Sequence, residues 1–196
     1  MTRFLRNQSG ATAAEFALVL PLLLLLIFGV IDGARFIWEY NRAEKATQIG
    51  VRVATVIDAL PSGLVDAEYV GVGGLTQGDA IPASALGSMV CSRTACTCAG
   101  TCPPTGTINT AAFDTIVGRM NTMRPDIAVD NVRVEYRGSG LGFAGDPNGM
   151  EVSPLVTVRL TGLTFKPITS LLLANMTIPD LSSTLTAEDS AGTQSN

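Results

Sequence analysis

The chain has 196 residues, 13 basic and 17 acidic, for a net charge of −4, with four cysteines and no histidine. Missing histidine removes the usual general base and the common zinc sites, and an acidic balance is wrong for tracking a phosphate backbone. The length past residue 62 suits one modest core.

A short leader carrying Arg3 and Arg6 precedes sixteen uncharged residues, 16–31, that include Pro21. Residues 11–31 hold a single charge, Glu15, and as a helix span roughly 30 Å, enough to cross a hydrocarbon core. A cleaved secretory signal has a shorter apolar run and a small-x-small site, whereas Asp32-Gly33-Ala34-Arg35 follows here. The leucine string 22–26 is apolar on every face, unlike an ordinary core helix. The segment therefore reads as a retained transmembrane helix.

Basic counts on the two flanks do not decide its orientation, because Arg35, Arg42 and Lys45 balance the leader. The cysteines do. Cys91, Cys96, Cys98 and Cys102 cluster in the C-terminal part and suit an oxidising compartment, which puts the N-terminus inside and the bulk outside.

Glu15 lies four residues into the apolar zone. Such a carboxylate either snorkels to headgroups or is buried in an assembly against a positive partner, since an unpaired buried charge is too costly. A cut after Gly10 creates that partner, an α-amine on Ala11.

The run Gln8-Ser9-Gly10-Ala11-Thr12-Ala13-Ala14-Glu15-Phe16, followed by Ala17-Leu18-Val19-Leu20-Pro21, resembles the processing region of type IV pilin-like proteins. It is most similar to the TadE-like pseudopilins, or minor pilins, of the tight-adherence (Flp) pilus system. The resemblance covers residues 8–45, through the exit Phe28-Gly29-Val30-Ile31-Asp32-Gly33-Ala34-Arg35. It implies processing by a prepilin peptidase between Gly10 and Ala11, with Glu15 as the assembly carboxylate. It further implies partners in a pilus assembly platform and in other pilins met through the N-terminal helix, in surface attachment from the bacterial cytoplasmic membrane. Flp major pilins tend to carry Glu-Tyr and to be very short; Glu15-Phe16 and a large extra domain point instead to a minor or pseudopilin role. Pro21 cannot donate a backbone hydrogen bond and crowds the Ala17 carbonyl, so a helix kink is expected there. Gly29 and Gly33 form a small-xxx-small pair, a weak signal of close helix approach.

Beyond Asp32, Ala43, Ala46, Gly50, Val53, Ile57 and Leu60 recur at helical spacing, with Arg42, Glu44, Lys45, Gln48 and Arg52 between them. The expected stalk helix covers 32–61 and stops at Leu60-Pro61-Ser62-Gly63. Residues 12–59 as one helix would be roughly 70 Å long.

The head is placed at 62–186. Its part 62–110 reads as an irregular connection with short strands such as 68–72, tied by the cysteines. Their spacing is not a paired Cys-x2-Cys knuckle, so two disulfides are expected, with three pairings open. Asn109 or Thr110 caps a helix with Phe113, Ile116, Val117, Met120 and Met123 on its apolar face. Strands follow at 132–137, 156–161 and 176–186, the last with Pro179 marking a bulge or edge, and 166–174 forms a short apolar helix or turn. Residues 187–196 read as a disordered tail. The fold class is α+β, a long N-terminal helix on a small antiparallel sheet, pilin-like.

Gly140, Gly142 and Gly145 match G-x-G-x-x-G, but Asp146-Pro147-Asn148-Gly149 is a turn where a nucleotide site needs a helix. No nucleophile context or Gly-Lys pair occurs. Loss of Arg3 and Arg6 with leader 1–10 leaves eleven basic against seventeen acidic residues, a balance of −6. The expectation is no enzyme, cofactor, metal or nucleic acid. Two alternatives share the same anchor: an exported binding domain never incorporated in a filament, and a pseudopilin of a type II secretion machine.

Overall fold

A computed structural model of the chain describes residues 9–147, 149–171 and 175–187. The leader up to residue 8, residues 172–174 of the expected apolar turn and the expected tail from 188 lie outside the described residues. The chain divides into two compact units, Met1–Tyr40 with Thr164–Thr177, and Asn41–Leu163 with Ile178–Asn196.

The first unit is built on residues 9–40 of helix α1 (Ser9–Ala54), which carries Pro21 in its interior. From Phe16 to Ile31 its large apolar side chains are exposed, Leu22 at 71% and Val30 at 67%, except half-buried Leu20. An apolar surface all round is what a leucine string must give, because no helical face is left for polar residues. Against α1 lies a two-stranded hairpin, β5 (Thr164–Phe165) paired with β6 (Met176–Thr177), with a 3-10 turn at Ile168–Leu171 between them.

The second unit is an antiparallel sheet in the order β2-β1-β3-β4-β7. Its strands are β1 (Ser88–Cys91), β2 (Cys96–Ala99), β3 (Val132–Arg137), β4 (Leu155–Leu160) and β7 (Leu181–Thr186). Val134 pairs with Val158 and Tyr136 with Val156, so the inward positions of the central strands stack into one buried layer. Helix α3 (Thr110–Asn121) adds Phe113, Ile116, Val117 and Met120 to that core. Its cap is Asn109, whose side chain accepts the Ala112 N–H at 3.0 Å. A single turn, α2 (Ser62–Val65), buries Leu64.

Residues 41–54 of α1 pack on this sheet through Ala43, Ala46, Thr47, Gly50, Val51 and Ala54. The small residues have a geometric reason. A Cβ on Gly50 would stand 2.8 Å from Met120 Sδ and 3.2 Å from Val158 Cγ1. Thr47 Oγ1 meets Ser183 Oγ at 3.0 Å, fixing the helix against edge strand β7. The fold is thus α+β, a long N-terminal helix packed on a small antiparallel sheet.

Several local expectations change. The helix ends at Ala54 rather than near residue 59. Val51 and Val53 put β-branched side chains into the last turn and Thr55, Val56 and Ile57 follow it, which disfavours continuing the helix. Leu60 is instead held in irregular chain, its N–H donating to Tyr136 Oη at 3.0 Å and its carbonyl accepting from Asn109. Residues 68–72 form no strand, because Gly71, Gly73 and Gly74 turn the chain with positive φ. Strands appear later in the same connection, at the cysteines. The expected strand 176–186 splits into β6 and β7 around Pro179, and β7 is the sheet edge.

Candidate functional site

Gly10, Ala11, Glu15 and Pro21 all lie in α1, so the sequence-predicted residues share one helix. Glu15 follows Ala11 by four residues, about 6 Å along the axis and on the same face. The Glu15 side chain is exposed, and so are Phe16, Leu18, Val19 and Leu22 around it. The surface offered by this half of α1 is therefore hydrocarbon with one acid near its start. Water is a poor solvent for such a face; lipid or other apolar helices are good ones.

A second cluster sits where the apolar run ends, and the sequence did not announce it. Asp32 is 4% exposed. Its Oδ1 accepts the Ile168 N–H at 2.7 Å, and its Oδ2 accepts the Thr169 N–H at 3.0 Å and the Thr169 hydroxyl at 2.8 Å. Arg35 Nη1 is 3.1 Å from Oδ1. Burial alone would raise this carboxyl, but three donors from residues 168–169 and the Arg35 guanidinium outweigh it and hold the pKa at about 2. Phe36 meets Phe165 edge-on at 5.5 Å, and the Arg35 guanidinium lies 5.5 Å from the Phe165 ring centre. Asp32 thus caps the 3-10 turn of the hairpin and ties it to α1. No local signal could have found this bond, since its partners are 136 and 137 residues away.

The four cysteines form two disulfides, Cys91–Cys96 and Cys98–Cys102. The first closes the β1–β2 turn, and the second ties β2 to the chain after it. Among the described residues, no group of three or more His, Cys, Asp or Glu side chains could hold a metal ion.

Glu135 is buried between strands, where burial works to raise its carboxyl. The Ser88 hydroxyl at 2.7 Å and the Arg159 guanidinium at 2.8 Å prevail and lower it. A cleft of about 410 Å³ is lined by Tyr69, Val72, Ala85, Pro103 and Pro104 among others. Tyr69 donates its backbone N–H to Glu151 Oε2 at 2.8 Å, and burial, then the Glu151 charge, pushes its hydroxyl up. The Gly140–Gly145 motif lies in the connection from β3 to β4, where the Phe143 N–H donates to the Glu151 carbonyl across the returning chain. It builds a loop and opens no helix.

Helix α1 is thus exposed and apolar at its start and carries a sheet domain on residues 41–54. Residues 10–52 match the family model described as TadE-like protein, consistent with a TadE-like pilin of the tight-adherence system. The match lies within α1, contains Gly10, Glu15 and the small-residue stripe, and reaches no strand of the sheet. No curated protein and no solved structure matches the chain.

Proposed function

We propose that the chain is a membrane-anchored pseudopilin or minor pilin of a tight-adherence pilus, cut by a prepilin peptidase between Gly10 and Ala11. The observation that carries this reading is the placement of Gly10 and Glu15 ahead of an exposed apolar helix, inside the TadE-like match. Its role is structural. The helix holds the subunit in the cytoplasmic membrane with the N-terminus inside, and the disulfide-bearing sheet domain lies on the oxidising side. The assembly platform extracts the helix, and Glu15 neutralises the new α-amine of Ala11 among neighbouring pilin helices, in a filament that serves surface attachment.

N-terminal sequencing of the protein from cells with and without the peptidase tests the reading. The expected outcome is a mature chain starting at Ala11 only where the peptidase is present. A retained Met1, or a cut beyond residue 31, overturns it. Shearing gives the second arm: a filament subunit leaves with the sheared pili, whereas a permanent anchor stays in the membrane pellet.

A further inference from the structure

We infer that β5 with the following 3-10 turn Ile168–Leu171, together with β6, is a second membrane contact, lying in the headgroup layer of a lipid surface beside the exit of α1. Three observations put it there, on the membrane reading proposed above.

The first is its level. Asp32 is the residue immediately after the apolar run, and its carboxylate holds the backbone of Ile168 and Thr169 directly. With 11–31 spanning the hydrocarbon, these two residues stand where hydrocarbon gives way to headgroups, a layer several ångströms deep on each side. Phe165 against Phe36, one helical turn further on, fixes the hairpin's base slightly above.

The second is composition. Ile168 is 54% exposed and Met176 44%, while Phe165 and Pro167 are buried. A small hairpin that hides some apolar residues and leaves others bare is poorly suited to water. Lys166 is exposed on the same segment, while Arg35, over the adjacent Phe165 ring, is paired with Asp32. A lysine beside bare apolar side chains matches the chemistry of a headgroup layer over acyl chains, where basic residues are attracted and apolar tips are accepted.

The third is attachment. The hairpin belongs to the compact unit of α1 up to Tyr40 and not to that of the sheet. It is therefore held in register with the spanning helix, whatever the rest of the chain does. The bond set on Asp32 acts as the fastener.

The test uses the full chain with Trp38, its single tryptophan, replaced by Trp38→Phe. Into that background go Ile168→Trp in the hairpin, Ile27→Trp in the apolar helix and Leu185→Trp on the sheet edge, all exposed positions whose replacement leaves the core intact. Each variant is placed in nanodiscs of phosphatidylcholine and phosphatidylglycerol in equal parts, with and without lipid brominated near the top of the acyl chain. The expected result is quenching of Ile168→Trp to within about twofold of Ile27→Trp, as for an interfacial aromatic, and none for Leu185→Trp. Quenching of Ile27→Trp without Ile168→Trp overturns the hairpin contact and leaves the anchor standing. No quenching of Ile27→Trp removes the anchor itself, and the hairpin contact with it. Emission of Ile168→Trp that shifts blue with protein density yet ignores bromine means a second copy covers the hairpin, which also overturns the proposal.

Discussion

Asp32 shows how one carboxylate can do a structural task at the edge of a hydrophobic segment. It satisfies two backbone N–H groups of a 3-10 turn that otherwise have no intrahelical partner. Its pKa in the fold is about 2 against an ordinary 3.8, so the folded state favours the charged form. The sign follows directly: the carboxylate's stabilising contribution is present in full above the ordinary value and is lost as pH falls through about 2. Asp32→Asn keeps the shape but can offer only one acceptor oxygen, and it leaves Arg35 without its acid. The expected outcome is faster amide exchange at Ile168 and Thr169 in the detergent-solubilised variant at neutral pH, by about tenfold or more, with exchange in the sheet strands unchanged. Unchanged exchange at those two amides would mean that Asp32 does not hold the hairpin. In sequence, Asp32 reads as a flanking charge and nothing more, because the donors that give it meaning lie on the far side of the sheet domain in the chain.

The elements divide into those whose pattern is local and those whose pattern is not. Helix α3 was legible, with its Asn109 cap one of two candidates, because apolar spacing and cap occur within a few turns. Strands β3 and β4 were legible because Val132, Val134 and Tyr136 alternate with polar residues, as do Val156, Val158 and Leu160. Strands β1 and β2 were not, since Ser88–Cys91 and Cys96–Ala99 are short and their cysteines read as loop ties. They are strands because β3 supplies a template edge, not because their own residues insist on it. Reduction therefore has a bounded effect. Each disulfide closes a short loop, worth about 2 kcal/mol by loop entropy. Reductant is expected to lower the melting temperature and to release amide protection at β2 first, while β3, β4 and β7 stay protected. Simultaneous loss of all five strands would show that the cysteine hairpin is needed to form the sheet. Gly50 gives the complementary test on the helix. Gly50→Leu drives a side chain into Met120 and Val158 and is expected to cost about 3 kcal/mol. Gly50→Ala gains about 1 kcal/mol of helix propensity and loses a similar amount moving the flexible Met120 thioether, so its melting temperature should barely change.

At the scale of the whole molecule, the family match and the fold assign different tasks to different residues. The TadE-like match ends within α1, and the sheet domain lies outside the matched residues. Under the proposed function assembly depends on Glu15, where two physical accounts make opposite predictions. If Glu15 snorkels to headgroups or only accepts hydrogen bonds, a neutral side chain of the same shape should serve, and Glu15→Gln should assemble like the parent. If Glu15 neutralises the Ala11 amine in an apolar filament core, the charge itself is required. Removing one member of a buried pair leaves the other uncompensated at about 3–5 kcal/mol. Under the proposed function both Glu15→Gln and Glu15→Ala are expected to reach the membrane and to be cut after Gly10, because neither step needs the acid. Both should then appear in sheared filaments at no more than about a tenth of the parent level, since each 1.4 kcal/mol is worth tenfold. Quantitative blotting of membrane and sheared fractions measures this directly. Recovery of filament incorporation in Glu15→Gln but not in Glu15→Ala would assign the residue a hydrogen-bonding role and remove the charge-pairing account.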